Sequence, residues 1–331
     1  MNPSRRTIAL LCLAAPLAAG SPAWAMARQP LVLAPGAGTA ETPAGSRGAF
    51  EQAIREGADF IVADFTPTKD GALAALSDNE LSGATNVAAR TEFAARRGSR
   101  IIHGQERFGW FAEDFTLGEL KTLTLTAPAG RRRGADSGFR AILTFEEIVA
   151  IARAGSVRTA RVIGVHAGIA HTAYFAGLDL AVEPRLADAI RAAGYDSPAA
   201  AMFVASAEPD SLKVIGELTR ARRVLKLGDA PTPPSERIRA FAEAVAPGVG
   251  EVLDLGAPRG LPATVEIADA HAAGLAVHAW TLGASFPPSP LRPGDGRRLL
   301  GALFMAGADA VAGEPASLVA RARDDALARR G

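Results

Sequence analysis

The sequence predicts an α/β fold, a closed (β/α)8 or TIM barrel with one long insertion after its second strand. Eight short apolar runs of β type alternate with eight segments of helical period over roughly 300 residues. Cap residues punctuate the helical segments where a strand–helix alternation needs them. An open doubly wound sheet is the competing arrangement, but eight repeats favour closure.

In chain order, the first strand is Leu31–Ala34, followed by a helix over Ser46–Glu56. The second strand, Phe60–Asp64, ends on a carboxylate, which places Asp64 at the rim where α/β folds bind ligands. Thr68-Lys69-Asp70-Gly71 is a tight turn, because Asp-Gly supplies turn geometry cheaply. Between Asp64 and Thr144 lie nearly eighty residues where a short loop and a helix would suffice. Residues 65–140 therefore read as an insertion within a barrel domain spanning 28–328. Thr144 opens the next helix, Thr144–Ala154, with Glu147 three residues on as a capping box. The remaining strands are expected at Arg161–His166, Met202–Ser206, Arg223–Leu227, Val252–Leu255, Ala276–Trp280 and Asp309–Gly313. Their helices are expected at Pro184–Ala193, Pro209–Arg220, Ser235–Ala246, Leu261–Ala273, Gly296–Ala306 and Ala316–Arg329, several stopping at glycine.

The N-terminus reads as an export signal, residues 1–25. Arg5-Arg6 precedes an apolar core, Ile8–Ala19, too short to span a bilayer, and Ala23-Trp24-Ala25 is a small-x-small cleavage site. The paired arginines also resemble a twin-arginine signal. Cleavage removes both arginines and the single cysteine, Cys12, so the formal charge falls from +1 to about −1. The mature chain then has no thiolate chemistry, no disulfide, no basic footprint for nucleic acid and no stable membrane anchor. The expected location is periplasmic or secreted.

Several segments then resemble the glycerophosphodiester phosphodiesterase family, most closely its periplasmic bacterial branch. They include Gly57-Ala58-Asp59-Phe60-Ile61, Asp64, Thr68-Lys69-Asp70-Gly71 and Asp78-Asn79-Glu80-Leu81-Ser82. Gly109-Trp110-Phe111, Glu113-Asp114-Phe115-Thr116-Leu117, Leu143-Thr144-Phe145-Glu146-Glu147 and Val277-His278-Ala279-Trp280-Thr281 continue the likeness. The resemblance implies a TIM barrel that releases an alcohol and glycerol 3-phosphate, using two histidines, an arginine and a divalent cation, commonly calcium.

Carried over position by position, most of that apparatus is replaced. His-Arg-Gly of the first strand end falls on Pro35-Gly36-Ala37, and the second histidine on Ser77. The metal-binding Glu-x-Asp becomes Val62-Ala63-Asp64, leaving Asp64 as a residual ligand, and the Glu-x-Lys of the third strand falls on Gly168 and Ala170. Glu41 survives. The expectation is a catalytically degenerate binding protein without a cofactor. The alternative is an active phosphoric diester hydrolase with an altered site, which would call for calcium or magnesium. The expected ligand is a small phosphodiester or a polyol, and no protein partner can be named.

The survivors have two readings each. Asp64 and Glu41 are ligand remnants or acceptors for backbone N–H groups. His166, expected to end the third strand, joins Asp64 and His171 in a thin metal or anion site, or is a polar rim residue. Trp280 stacks on a ligand or packs beneath the insertion, and Trp110 has the same two readings. His103 reads as an exposed loop residue and His278 as a hydrogen-bonded core residue.

Overall fold

The computed structural model describes residues 29–36, 42–126, 140–228, 233–257, 260–264, 266–281 and 294–330. The expected export signal and Glu41 lie outside them.

Eight parallel strands close a barrel: β1 (Leu31–Ala34), β2 (Phe60–Pro67), β6 (Gly164–Ile169), β7 (Met202–Ser206), β8 (Arg222–Lys226), β9 (Ala244–Ala246), β10 (Ala276–Trp280) and β11 (Ala310–Ala312). Closure comes from β1, which pairs with β11 on one side and with β2 on the other. Between β2 and the helix α3 (Phe145–Thr159) the chain adds β3 (Leu73–Ala75), a hairpin of β4 (Gly98–Ile102) and β5 (Gln105–Gly109), and the one-turn helix α2 (Leu117–Leu120). β3 runs antiparallel on the C-terminal half of β2, so the insertion is anchored at the barrel mouth.

Strand register decides which side chains meet inside, because alternate residues face opposite sides. Val62, His166, Phe203 and Arg222 are successive register partners, as are Asp64, Gly168, Ala205, Val224, Ala244 and Ala276. One half of the interior is aromatic, with the Phe60 and Phe203 rings 5.0 Å apart. The other half is lined by Ala244, Ala246, Ala276, Ala310 and Ala312. Gly164 makes room for that aromatic half, since a Cβ there would lie 2.2 Å from the Phe60 ring.

Two sequence expectations are corrected. The helix expected over Ser235–Ala246 is cut to α7 (Ser235–Arg239), and its tail becomes β9. Ile238, Phe241, Ala242 and Val245 carry a helical i, i+3, i+4, i+7 spacing, and all four are buried in one cluster, but Val245 reaches it from a strand. The strand expected at Val252–Leu255 is instead the end of the short helix α8 (Val249–Val252) and an extended segment. A barrel needs a strand between β8 and β10, and only the alanine-flanked Val245 segment reaches both.

The other elements follow the expected order. Thr144 caps α3: its hydroxyl accepts from the Glu147 N–H at 3.3 Å, while the Thr144 N–H donates to the Glu147 carboxylate at 2.8 Å. Thr144→Ala is expected to cost about 1 kcal/mol in a urea titration, because the Glu147 N–H loses its hydroxyl acceptor while the Thr144 backbone bond to Glu147 remains. Outside the barrel, α4 (Thr172–Ala176), α5 (Val182–Ala192), α6 (Pro209–Leu218), α9 (Glu266–Ala272), α10 (Gly296–Ala306) and α11 (Ala316–Ala328) complete the layer. The insertion has its own core of Leu81, Val87, Phe93, Trp110, Phe115 and Leu120. Trp110 belongs to it, buried and donating its indole N–H to the Phe93 carbonyl at 2.7 Å, so its role is packing.

Candidate functional site

The C-terminal mouth of the barrel holds a cavity of about 800 Å³. Pro35, Val62, Asp64, Ser77 and Trp280 all line it, together with Asp78 and Arg107. The geometry therefore gathers the positions that the sequence singled out on separate strand ends.

At the first strand end neither position offers chemistry. Pro35 has no polar side-chain atom. Gly36 adopts φ +63°, and a Cβ there would meet the Phe50 ring at 2.6 Å, so this backbone leaves no room for an arginine. Ser77 is exposed, and no described side chain hydrogen-bonds its hydroxyl. A serine without a base partner is a weak nucleophile.

Asp64 has a partner that the sequence did not suggest. Lys226 Nζ donates to Asp64 Oδ1 at 2.9 Å, from a residue 162 positions away at the C-terminal end of β8. The same ammonium lies 5.4 Å from the Trp280 ring centroid, within cation–π range. Gly168 permits the arrangement: a Cβ there would lie 1.7 Å from Asp64 Oδ1 and 2.9 Å from Lys226 Nζ. Gly168→Ala is expected to push this pair apart and destabilise the chain by about 1–3 kcal/mol, read as a lower denaturant midpoint.

Across the cavity Asp78 accepts two bonds from the Arg107 guanidinium, at 2.8 and 2.6 Å. Burial alone would raise the Asp78 carboxyl, but the Arg107 bonds and charge outweigh it and hold the group below its usual range. His171 Nε2 lies 4.0 Å from the same carboxylate. Burial lowers His171, against the pull of Asp78. Nearby, the buried Glu113 carboxylate accepts from Tyr174 Oη at 2.5 Å and from Asn79 Nδ2 at 3.1 Å, tying the insertion to α4. Burial raises Glu113 above the ordinary carboxylate range despite these donors.

His166 is not at a rim. It sits in the middle of β6 with no exposed surface, and its side chain is inside the barrel, below the mouth. Its ring lies 5.8 Å from His278, 5.8 Å from Phe203 and 5.5 Å from Trp280, so it does not join Asp64 and His171 in one cluster. Both His166 nitrogens, His278 Nδ1 and Trp280 Nε1 are buried without a protein partner. Desolvation keeps both imidazoles neutral: His278 is lowered to about 4, and His166 falls well below its ordinary value. His278 is core, as expected, but its Nδ1 is unsatisfied.

The calcium implied by the sequence resemblance does not fit these residues. Asp64 is already neutralised by Lys226, position 168 contributes no side chain, and among the described residues no three His, Cys, Asp or Glu side chains converge. Glu41 lies outside the described residues. Lys226 and Arg107 are the site residues that sequence reasoning passed over. A lysine closing the apolar run Val224-Leu225-Lys226, in inward register, was the available signal for the first. For Arg107 there was none, because its place depends on the hairpin.

Comparison with known proteins follows this geometry. The family model described as glycerophosphoryl diester phosphodiesterase matches residues 38–285. Glycerophosphodiester phosphodiesterase GDPD6 of Arabidopsis thaliana is 28% identical over 280 residues, covering 76% of this chain and 74% of the relative. A glycerophosphoryl diester phosphodiesterase-like structure from Silicibacter pomeroyi superposes with a TM-score of 0.64 at 13% identity, over 90% of this chain and 93% of that one. A phosphodiesterase from Oleispira antarctica, solved with its product sn-glycerol 3-phosphate, gives 0.62 at 16% identity, over 91% and 99%. These structures share the fold. The family match spans most of the length, and on that evidence the chain belongs to the glycerophosphoryl diester phosphodiesterase family.

Proposed function

We propose that this chain is an exported, catalytically degenerate member of its family that binds a small glycerophosphodiester or polyol at the barrel mouth without turning it over. The observation that carries this reading is the Asp64–Lys226 pair: an ammonium of the chain itself stands against a residual acidic ligand, where the family mechanism needs a divalent cation. Pro35, Gly36 and Ser77 add to it, since none can move a proton between substrate oxygens at neutral pH. With Asp64 and Asp78 each held by a cation, the mouth favours ligands of no net charge over a free dianion. Trp280 offers an aromatic wall to the same cavity.

The test is a paired measurement on the mature chain. Glycerophosphocholine or glycerol is expected to raise the melting temperature in proportion to log concentration, by mass action on the folded state. Release of sn-glycerol 3-phosphate in calcium buffer is expected to stay at background. The second reading is an altered-site phosphodiester hydrolase, favoured by two cations near the mouth, Arg107 on the cavity wall and Lys226 bonded to the lining residue Asp64. It requires calcium- or magnesium-supported turnover that disappears in Asp64→Ala.

A further inference from the structure

Two histidines outside the barrel core touch each other at the edge of the mouth. His103 sits at the tip of the β4–β5 hairpin, and His171 in the loop before α4. His103 Nε2 and His171 Nδ1 are 2.8 Å apart, a hydrogen bond, with ring centroids 4.9 Å apart and the rings tilted by 51°. Both residues also hold left-handed backbone, φ 50° and 57°. Non-glycine residues rarely adopt that region, and such outliers gather where a site fixes them.

We infer that His103 and His171 form a two-imidazole site for a borderline divalent transition metal, Cu²⁺, Ni²⁺ or Zn²⁺, bridging the insertion to the barrel. Imidazole nitrogens bind these metals at about 2.0–2.1 Å, so two ligands at a right angle stand about 2.9 Å apart. The observed 2.8 Å spacing, a hydrogen bond in the metal-free chain, is close to that separation, so a small tilt of the rings brings both lone pairs onto one ion. Asp78, 4.0 Å from His171 Nε2, favours a proton on that nitrogen and leaves the Nδ1 lone pair facing His103. His103 then donates from Nε2 in the metal-free chain. On binding, its proton moves to Nδ1, both rings stay neutral, and no net proton is released. Arg107 opposes positive charge at His171, but Asp78, which pairs with it, and Glu208 favour it. The two rings supply two ligands, and water completes the shell.

The site is separate from Asp64 and from the family's acidic ligands. It uses residues of the insertion and of the β6–α4 loop. Metal binding there would fix the hairpin, and with it Arg107, over the cavity.

The test uses the untagged mature chain titrated with Cu²⁺, Ni²⁺ and Zn²⁺ by calorimetry. One equivalent is expected to bind, and His103→Asn and His171→Asn are each expected to weaken it at least tenfold. Asparagine tolerates left-handed backbone, so both variants keep the local conformation. His271→Asn, on the far helix α9, is expected to bind as the parent does. Cu²⁺ electron paramagnetic resonance on the parent chain is expected to show coupling to two imidazole nitrogens. Absence of one-equivalent binding, asparagine variants that bind like the parent, or a spectrum without imidazole coupling would each overturn the assignment.

Discussion

Between pH 6.5 and about 4 the folded chain is expected to lose several kcal/mol of stability, most of it from two histidines inside the barrel. His166 and His278 are buried and hold neutral rings because desolvation penalises the charged form. Arg222 and Lys226 add repulsion toward His166, and Arg222 toward His278. The unfolded chain takes up a proton at each as pH falls through the ordinary histidine value, while the folded chain does not. Stability is therefore full above about pH 6.5 and declines with acid, by up to about 1.4 kcal/mol per pH unit for each group. For His278, lowered to about 4, the whole window amounts to about 3 kcal/mol before the loss levels off. His271 works in the opposite sense. The Asp309 hydrogen bond raises it, so its contribution is present at low pH and fades as pH rises, but the pair is 41% exposed and screened.

Carboxylates held low, such as Asp78 with Arg107, lose their contribution only below about pH 4, in a separate range. Urea midpoints measured from pH 7.5 to 4.5 isolate the histidine window. His278→Leu removes one titrating group at similar volume and is expected to shallow that slope. A flat profile in the parent chain would show that these rings are solvated.

Turnover is the second large effect. Hydrolysis of glycerophosphocholine is expected to run about 10⁴-fold below that of a family member with both histidines. One general acid or base is worth roughly 10²–10⁴, and the resemblance puts the positions of both on Pro35 and Ser77. Losses within one catalytic unit do not simply multiply, so the figure is the upper end of a single loss and not a product of two. The measurement is sn-glycerol 3-phosphate released at neutral pH with calcium in excess. Rates within a hundredfold of an active relative, lost in Asp64→Ala, would move the chain to the altered-site reading. Lys226→Met is the complementary variant. It strips Asp64 of its ammonium, and the expected result is weaker ligand stabilisation with no gain in turnover, since no proton donor is restored.

The legible part of the site was the replaced part. Pro35, Gly36, Ser77 and Gly168 could be found by position, and the structure places Pro35 and Ser77 on one cavity and Gly168 under the Asp64 carboxylate. What fills the vacated space was not legible. Lys226 carried no motif, and its meeting with Asp64 depends on the register of four strands, β2, β6, β7 and β8. His166 was read as a rim residue because the strand was expected to stop there. β6 starts three residues later than expected and runs three further, which moves the ring from the lip to the interior.

The sequence by itself determined the barrel, because strand and helix periods alternate along the chain and seven of the eight expected apolar runs do stand as walls of one common core. It also carried the expectation of a degenerate site, since a proline or glycine has no side chain that titrates wherever it is placed. Only the tertiary structure decided which charges meet. In a closed barrel a side chain's neighbours are set by inward register and stagger around the ring, so residues far apart in the chain, Asp64 and Lys226 or His103 and His171, become partners through geometry that no local pattern encodes.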